Sequence, residues 1–362
     1  MKFDKIFVIF IILIVLTTFQ FSFAKTLDKQ VNKSINTIFV DDDKPADFTN
    51  IQDAIDAANA GDTIFIKNGT YFENIIIDKS INLIGENKYN TVIDGGIKPR
   101  LFKRYSITIF VETDHVNILN LTVQNATGID GRGIYFIKNN GIEILKNNTI
   151  KNTIIKDCSY GLIIVNPLNN TVLNNSFYNC CGGYFYPRLT YHKNIYENNT
   201  VNDKEILSLI NKENLKIEGD YGVITLTDCR NITINNFTTS NITVGIDISF
   251  SEKITVKNCT ITNTNRGGIY VHHSKNCKFI KNHFENDNWG IFLRKSNNNQ
   301  ILNNNFLNIT KYDWFSSSYN NKWCGNFWEK SMNRPKLIYG KIGFFEKIPW
   351  INIDRDPATC LN

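Results

Sequence analysis

Short segments of alternating apolar and polar residues recur at a nearly fixed spacing in the second half of the chain. Four begin with glycine and an apolar residue and lie 23, 23 and 22 residues apart, at Gly222, Gly245, Gly268 and Gly290. A second pair of apolar positions, five residues apart, repeats in phase: Ile232/Phe237, Val256/Ile261, Phe279/Phe284 and Ile301/Phe306. This period, rich in β-branched and aromatic residues, predicts stacked coils of short strands, a parallel β-helix with a continuous apolar core.

One position in each coil carries a small or amide side chain. It lies three residues after the first apolar residue of the pair, at Asn235, Cys259, Asn282 and Asn304. Asparagine amides can donate to and accept from the next coil, so we expect the three asparagines to stack inside the helix as a ladder. Cys259 is expected to be a small core residue, and the pairing of the eight cysteines is left open.

The two ends of the repeat region differ from its coils. Apolar residues between Ile51 and Ala58 have helical spacing after a capping box at Thr49–Gln52, which predicts a short helix within an N-terminal cap. The tail beyond Phe306 does not repeat and holds four of the five tryptophans, which predicts an aromatic C-terminal cap. Residues 184–215 break the pattern and are interpreted as an excursion from the coil wall.

The first 24 residues form a separate segment. Two lysines precede eleven apolar residues, Ile6–Leu16, and Ser22-Phe23-Ala24 offers a cleavage site, as in a secretory signal peptide; an uncleaved anchor is the alternative. The predicted organisation is a signal peptide or anchor (1–24), a linker (25–36), an N-terminal cap with the first coils (37–105), coils (106–310) and a C-terminal cap (311–362). The folded part is therefore expected to be secreted or at the cell surface.

Charge is spread along the chain. The 40 basic and 34 acidic residues are interleaved and give a formal net charge of +6. Without a block of like charge, this predicts a solvated surface rather than a nucleic-acid interface. No membrane contact is predicted beyond the N-terminal segment.

Three parts of the chain resemble known families. Phe48–Ile55, together with Gly61–Ile66, Gly69–Tyr71 and Leu83–Gly85, resembles the N-terminal cap of pectin-lyase-like β-helices. The later coils, including Asn199–Asn202 and Ile217–Asp220, are similar to the NosD-type β-helix family of archaeal envelope proteins. The tail Ile348–Asp354 resembles an element of archaeal members. The resemblance implies a right-handed, single-stranded, all-β solenoid over residues 37–358, and it says little about activity.

Strand alternation places two columns of side chains outside the core, on what we expect to be a solvent-facing groove. A proton-abstracting uronate lyase or epimerase could use Asp247, Tyr270, His272 and Arg294 as catalytic residues, with substrate contacts from Ser249, Phe292 and Trp289. The simpler interpretation is that these are ordinary surface residues. Glycoside hydrolysis is disfavoured because it needs two carboxylates and this face offers only Asp247.

No cofactor is predicted. Copper would follow from the name of the NosD family, but His272 and His273 are expected to point to opposite faces of a strand and so not to chelate together. Asp41–Asp43 could bind Ca²⁺, although their spacing is more typical of a solvated turn.

The leading functional hypothesis is a non-catalytic cell-envelope protein that binds a polysaccharide, a cell-surface glycan or another surface partner along its flank. The uronate lyase or epimerase is the first alternative, and a metal-linked maturation factor is the second.

Overall fold

The structure is a computed structural model that describes residues 35–43, 45–96, 106–126, 128, 130–180, 184–186, 194–311, 313–329, 334–343 and 348–361. Residues 38–362 form one compact unit. The predicted signal peptide lies outside the described residues. Within the described ranges, no helix has the length and apolar character needed to cross a membrane.

Nearly all regular structure in the first part of the chain is short strands, with a helix α1 at Ile51–Ala57 and a 3-10 turn at Asn139–Gly141. The strands are β1 Thr37–Val40, β2 Thr63–Ile66, β3 Gly69–Tyr71, β4 Ile75–Ile77, β5 Asn82–Gly85, β6 Thr91–Asp94, β7 Ile107–Val111, β8 Asn117–Leu119, β9 Thr122–Gln124, β10 Arg132–Phe136, β11 Leu145–Lys146, β12 Thr149–Lys151, β13 Ile154–Lys156, β14 Tyr160–Val165, β15 Pro167–Leu168, β16 Thr171–Leu173, β17 Ser176–Tyr178, β18 Tyr184–Tyr186, β19 Ile195–Glu197 and β20 Thr200–Val201.

The second part continues in the same manner. Its strands are β21 Lys204–Ile210, β22 Lys216–Ile217, β23 Tyr221–Thr227, β24 Thr233–Asn235, β25 Thr238–Ser240, β26 Val244–Ser249, β27 Thr255–Lys257, β28 Thr260–Thr262, β29 Gly267–His272, β30 Lys278–Ile280, β31 His283–Glu285, β32 Trp289–Arg294, β33 Gln300–Leu302, β34 Asn305–Leu307, β35 Asp313–Ser316, β36 Lys322–Cys324, β37 Phe327–Trp328, β38 Lys336–Ile342 and β39 Ile348–Asp354.

Strands from successive coils pair in parallel, which confirms the predicted parallel β-solenoid. In the first part the main sheets follow the orders β1-β2-β5-β8-β12-β16-β19, β4-β7-β10-β14-β18 and β3-β6-β9-β13-β17-β20. In the second part they follow β21-β23-β26-β29-β32-β35-β38, β22-β24-β27-β30-β33-β36-β39 and β25-β28-β31-β34-β37. The coils from β23 to β37 thus each contribute one strand to each of the three sheets, whereas the first coil has only β21 and β22.

The two parts meet at a reversal of strand direction. β20 pairs with β21 in antiparallel fashion, whereas β21 pairs with β23 in parallel. The turn between them is Asn202-Asp203, and both residues have positive φ, 47° and 65°. Two consecutive left-handed residues are the geometry of a tight hairpin turn, and Asn and Asp tolerate it best after glycine. Within the range 184–215, the described strands β18 to β21 are therefore paired with neighbouring coils.

The core follows the predicted alternation. The fully buried side chains of three neighbouring strands belong to one apolar cluster: Ile246, Ile248, Ile269, Val271, Ile291 and Leu293. Phe284 and Phe306 stack with ring centroids 5.2 Å apart. Because each of these residues contacts the same residue position in adjacent coils, the repeat in the sequence becomes a continuous apolar column.

The predicted register is wrong in its first copy. Ile234, rather than Ile232, pairs with Val256, so this coil is 22 residues long instead of 24. Asn235 consequently lies outside the ladder, where its amide contacts Glu218. Phe237 is buried as predicted. Because Thr238 pairs with Thr260, the residues before them, Phe237 and Cys259, are equivalent, so Phe237 occupies the ladder position.

The rest of the asparagine ladder is present. The backbone N–H of Cys259 donates to Asn282 Oδ1, that of Asn282 to Asn304 Oδ1 and that of Asn304 to Asn326 Oδ1, each at 3.0 Å. The Cys259 thiol is buried, and burial raises its pKa to about 11, as expected of a small core residue that does not react.

The capping box at the start of α1 is also different from the prediction. Asn50, not Thr49, is the N-cap, and its side-chain oxygen accepts from the Asp53 N–H at 2.8 Å. The Glu73 carboxylate of a following coil accepts from the N–H groups of Ile51 and Gln52 at 2.7 and 2.9 Å. A carboxylate suits the positive end of the helix dipole, so a tertiary contact replaces the local box.

Candidate functional site

The seven residues predicted to form a site lie on three neighbouring parallel strands, β26, β29 and β32. Their register produces both predicted columns, Asp247–Tyr270–Phe292 and Ser249–His272–Arg294. Trp289 begins β32 opposite Gly267. The structure therefore brings all seven residues together, while their catalytic and binding roles stay predictions.

These columns lie outside the core, but they do not face open solvent as expected. Asp247, Ser249, Tyr270 and Phe292 are less than a tenth exposed, and only His272, Arg294 and Trp289 are half-buried. Tyr270 and Phe292 stack with centroids 5.4 Å apart, and Trp289 packs against Phe292 at 4.8 Å. Large aromatic side chains on adjacent strands cover one another, which strand alternation alone does not reveal.

Arg266 is also part of this cluster, although no pattern in the sequence points to it. Its guanidinium lies 5.3 Å from the centroid of the Tyr270 ring and 5.2 Å from that of Tyr160. Nearby, the Thr243 hydroxyl donates to the Ser159 carbonyl at 3.1 Å. Residues 159–160 of an earlier coil thus contact the edge of the predicted site.

Asp247 is the most perturbed carboxyl group of the cluster. Its Oδ1 accepts from the Ser249 hydroxyl at 2.8 Å, and its Oδ2 has no hydrogen-bond partner among the described residues. Burial disfavours the ionised form and raises the pKa of Asp247 to about 7, and the Ser249 hydrogen bond only partly opposes this. Near neutral pH the group therefore exists in both protonation states.

His272 and His273 lie side by side, which corrects the prediction that they point apart. β29 ends at His272, and His273 follows with φ 49°, so strand alternation does not apply to it. The ring centroids are 4.4 Å apart, and Phe250 stacks on His273 at 4.9 Å. Burial lowers the pKa of His272 to about 3, with further contributions from His273, Arg294 and Lys295. Burial also lowers the pKa of His273. Both imidazoles are therefore neutral at pH 7.

Among the described residues, the only group of three side chains close enough to share a metal ion is Asp41–Asp43. The backbone N–H of Asp43 donates to Asp41 Oδ1, as in an Asx turn. Two of the three carboxylates are exposed, and such acidic turns commonly have no ion.

A different pocket opens beside the C-terminal tryptophans. We call it the aromatic pocket, a cavity of about 100 Å³ lined by Phe306, Ile309, Lys311, Trp314, Trp328, Glu329, Lys336, Leu337 and Tyr339. Trp328 stacks on Phe306 at 4.7 Å, and Trp314 stands edge-on to Trp328 at 5.1 Å. The Lys336 ammonium lies 5.6 Å from the centroid of the Trp328 ring.

The sequence pointed to these tryptophans only as part of a cap. The pocket forms between two parts of the chain. Trp328 continues the column of Phe284 and Phe306 on one side. Tyr339 and Leu337 come from β38 on the other side and are more than 40% exposed. The combination of aromatic walls with two lysines and one glutamate depends on a contact between the last coils and β38, which no local pattern specifies.

One family model matches the second part of the chain. Residues 209–333 match the family described as "Periplasmic copper-binding protein (NosD)". This match covers about a third of the chain. No curated protein matches.

Several solved β-helix structures are similar in outline. An alginate lyase from Paenibacillus sp. str. FPU-7 shares 15% identity at a TM-score of 0.38, over 79% of this chain and 99% of its own. Pectate lyase Pel9A shares 16% at 0.37, over 82% and 80%. The Streptococcus pneumoniae surface protein and adhesin PfbA shares 17% at 0.36, over 76% and 83%.

Proposed function

We propose that this protein is a non-catalytic glycan-binding protein located outside the cytoplasm, and that it binds its ligand at the aromatic pocket. The description of the matched family as periplasmic supports the location. The observation that carries the binding role is the composition of the pocket: aromatic walls with charged groups at the rim. Sugar rings present apolar C–H faces, which pack on aromatic side chains, and hydroxyl groups, which bond to charged or polar ones.

The charges at the rim favour an acidic sugar. Lys311 and Lys336 outnumber Glu329, and Lys336 lies over the Trp328 ring, where a carboxylate of the ligand could reach it. The partner that fits best is therefore a glycan containing uronic acid, as found in acidic cell-surface polysaccharides.

The test measures binding of short uronic-acid oligosaccharides and of neutral oligosaccharides of equal length. Tryptophan fluorescence and calorimetry detect the binding. Because Trp314 and Trp328 line the pocket, binding should change the emission. We expect Tyr339→Ala and Lys336→Gln to weaken uronate binding about tenfold, the loss of roughly 1.4 kcal/mol typical of a central contact. Tyr319→Ala is the matched control, since Tyr319 is equally exposed but does not line the pocket. Uronate binding that is absent, or unaffected by both pocket substitutions, would disprove the proposal.

A uronate lyase or epimerase is the second candidate, favoured by the paired perturbation of Asp247 and His272. A carboxyl group with a pKa near 7 on the strand next to a neutral imidazole is an arrangement found at acid–base sites. Burial argues against it, because Asp247 would have to be uncovered before a polymer could reach it. Formation of an ultraviolet-absorbing unsaturated sugar, or solvent hydrogen exchange into the polymer, would support it. His272→Ala should then reduce the rate by about 10²–10⁴-fold.

The residues present do not fit a copper site. His272 and His273 could provide two neutral imidazoles, but the described residues bring no third histidine or cysteine ligand to them. Arg294 and Lys295 add positive charge beside the pair, which opposes a cation. We therefore assign no step of the function to copper.

A further inference from the structure

The reversal of strand direction between the two parts of the solenoid leaves an open cleft, which we call the seam cleft. It is a cavity of about 470 Å³, a size typical of small-molecule sites, which run from ~300 to 1,000 Å³. Its lining residues are Asn179, Val201, Asn202, Lys204, Gly222, Thr238, Thr239, Ser240, Asn241 and Ile242. None of them belongs to the aromatic pocket or to the predicted acid–base cluster.

One wall of the cleft is the first strand of a sheet. Among the described strands, β25 pairs only with β28, and in that ladder the Thr260 N–H donates to the Phe237 carbonyl and the Asn241 N–H to the Thr262 carbonyl. In a parallel ladder, alternate residues bond to a given neighbour, so the N–H and C=O groups of Thr238 and Ser240 point away from β28 and toward the cleft. Such an unpaired edge needs water or a ligand as its partner.

The side chains around the cleft add neutral polar groups. Asn202 bridges the seam by donating from Nδ2 to the Asn241 carbonyl at 3.0 Å, and Asn179 donates its N–H to Asn202 Oδ1 at 3.3 Å. The hydroxyls of Thr238 and Ser240 are exposed. The cleft therefore offers both donors and acceptors to a ligand of similar character.

The charge of the cleft is balanced. Among the described residues, Lys204 is the only ionisable one that lines it, and its ammonium is 2.6 Å from Asp220 Oδ1. The described lining residues include no aromatic ring, so they provide no surface for a large apolar or aromatic ligand. A compact neutral molecule with many hydroxyl groups matches these properties better than an anion does.

From these observations we infer that the seam cleft is a binding site for a neutral saccharide of one or two sugar units. The hydroxyls of the sugar bond to the edge of β25 and to the amides of Asn202 and Asn241. The site is separate from the aromatic pocket, and it does not depend on the function proposed for that pocket.

The experiment is calorimetry of the full chain with neutral disaccharides of gluco-, galacto- and manno-configuration and with matched disaccharides that carry one uronic acid. In the Tyr339→Ala/Lys336→Gln variant, whose aromatic pocket is weakened, at least one neutral disaccharide should bind at least tenfold more tightly than its uronic-acid counterpart. Ser240→Trp, which fills the cleft from an exposed position, should abolish this binding. Glu285→Trp is its control, because Glu285 occupies the same register position two strands away and does not line the cleft.

Asn202→Gly provides a second test if Ser240→Trp does not fold. Glycine keeps the positive φ of the turn but removes the bridging amide, so the hairpin is retained while disaccharide binding falls about three- to tenfold. Tyr339→Ala should leave this binding unchanged, which separates the seam cleft from the aromatic pocket. The inference is overturned if no neutral disaccharide binds, if the uronates bind the Tyr339→Ala/Lys336→Gln variant as well as their neutral counterparts do, or if Ser240→Trp folds and binds normally.

Discussion

Removal of one buried asparagine amide tests the ladder directly. The side chain of Asn304 is fully buried and makes four hydrogen bonds: Oδ1 accepts from the backbone N–H and the amide of Asn282, and Nδ2 donates to the Phe279 carbonyl and to Asn326 Oδ1. A net contribution of about 0.5–1.5 kcal/mol per hydrogen bond predicts that Asn304→Ala lowers the free energy of unfolding by about 2–6 kcal/mol.

Asn235→Ala is the matched control, since the repeat spacing assigns Asn235 to the same ladder. In the structure Asn235 lies outside, and its contacts with Glu218 and Asn258 are exposed. Its replacement should change the free energy of unfolding by less than about 1 kcal/mol. Denaturant unfolding of both variants, with the slopes compared to confirm the same transition, provides the measurement. A cost below 1 kcal/mol for Asn304→Ala, or equal costs for the two variants, would refute the ladder as a source of stability.

Three further predictions concern the core and the charged groups. Phe284→Ala should cost about 3–5 kcal/mol in denaturant unfolding because the ring is fully buried against Phe306, and a cost under 1 kcal/mol would contradict that packing. Asp247→Asn should raise the melting temperature relative to the unmodified protein, by an amount that grows from pH 4 to pH 7. Folding raises the pKa of Asp247 to about 7, so the unmodified protein loses stability as pH rises through that window, whereas the variant does not. A difference that is constant with pH would show that Asp247 is not desolvated. Added copper should leave the melting temperature unchanged, since His272 and His273 lack a third ligand, and a copper-dependent increase lost in His273→Ala would contradict this.

The sequence predicted the coils and their core faces well because the repeat is strong where packing demands it. Ile246, Ile269 and Ile291 must point inward if a neighbouring coil is to cover them, so their spacing alone identifies the face. The predicted register is wrong in the first coil because two apolar residues there, Ile232 and Ile234, both fit the first position of the apolar pair. Ile232 and Ile234 are both fully buried, and only the strand pairing shows that Ile234 is the equivalent of Val256.

The features that define the candidate sites depend on contacts between segments far apart in the chain. The reversal at Asn202-Asp203 has a recognisable local cause, two residues that tolerate positive φ, but the cleft it creates also needs the open edge of β25. The burial of Asp247 likewise depends on rings contributed by the two strands that follow it. Periodicity shows that these residues leave the core, and it does not show what covers them.

The abundance of Asn-x-Ser/Thr sequences has the same structural origin. Thirteen such triplets would suggest a heavily glycosylated surface in an exported chain. Eleven of their asparagines, however, have φ between 48° and 61°: Asn120, Asn125, Asn147, Asn169, Asn174, Asn198, Asn231, Asn236, Asn241, Asn258 and Asn308.

Asn258-Cys259-Thr260 shows the pattern: a left-handed asparagine turns the chain, the next side chain points inward, and threonine begins β28. Asparagine is favoured at positive φ and threonine in strands, so the coil geometry selects the triplet with or without glycosylation. The frequency of these triplets is therefore evidence for the β-solenoid and carries no information about attached glycans.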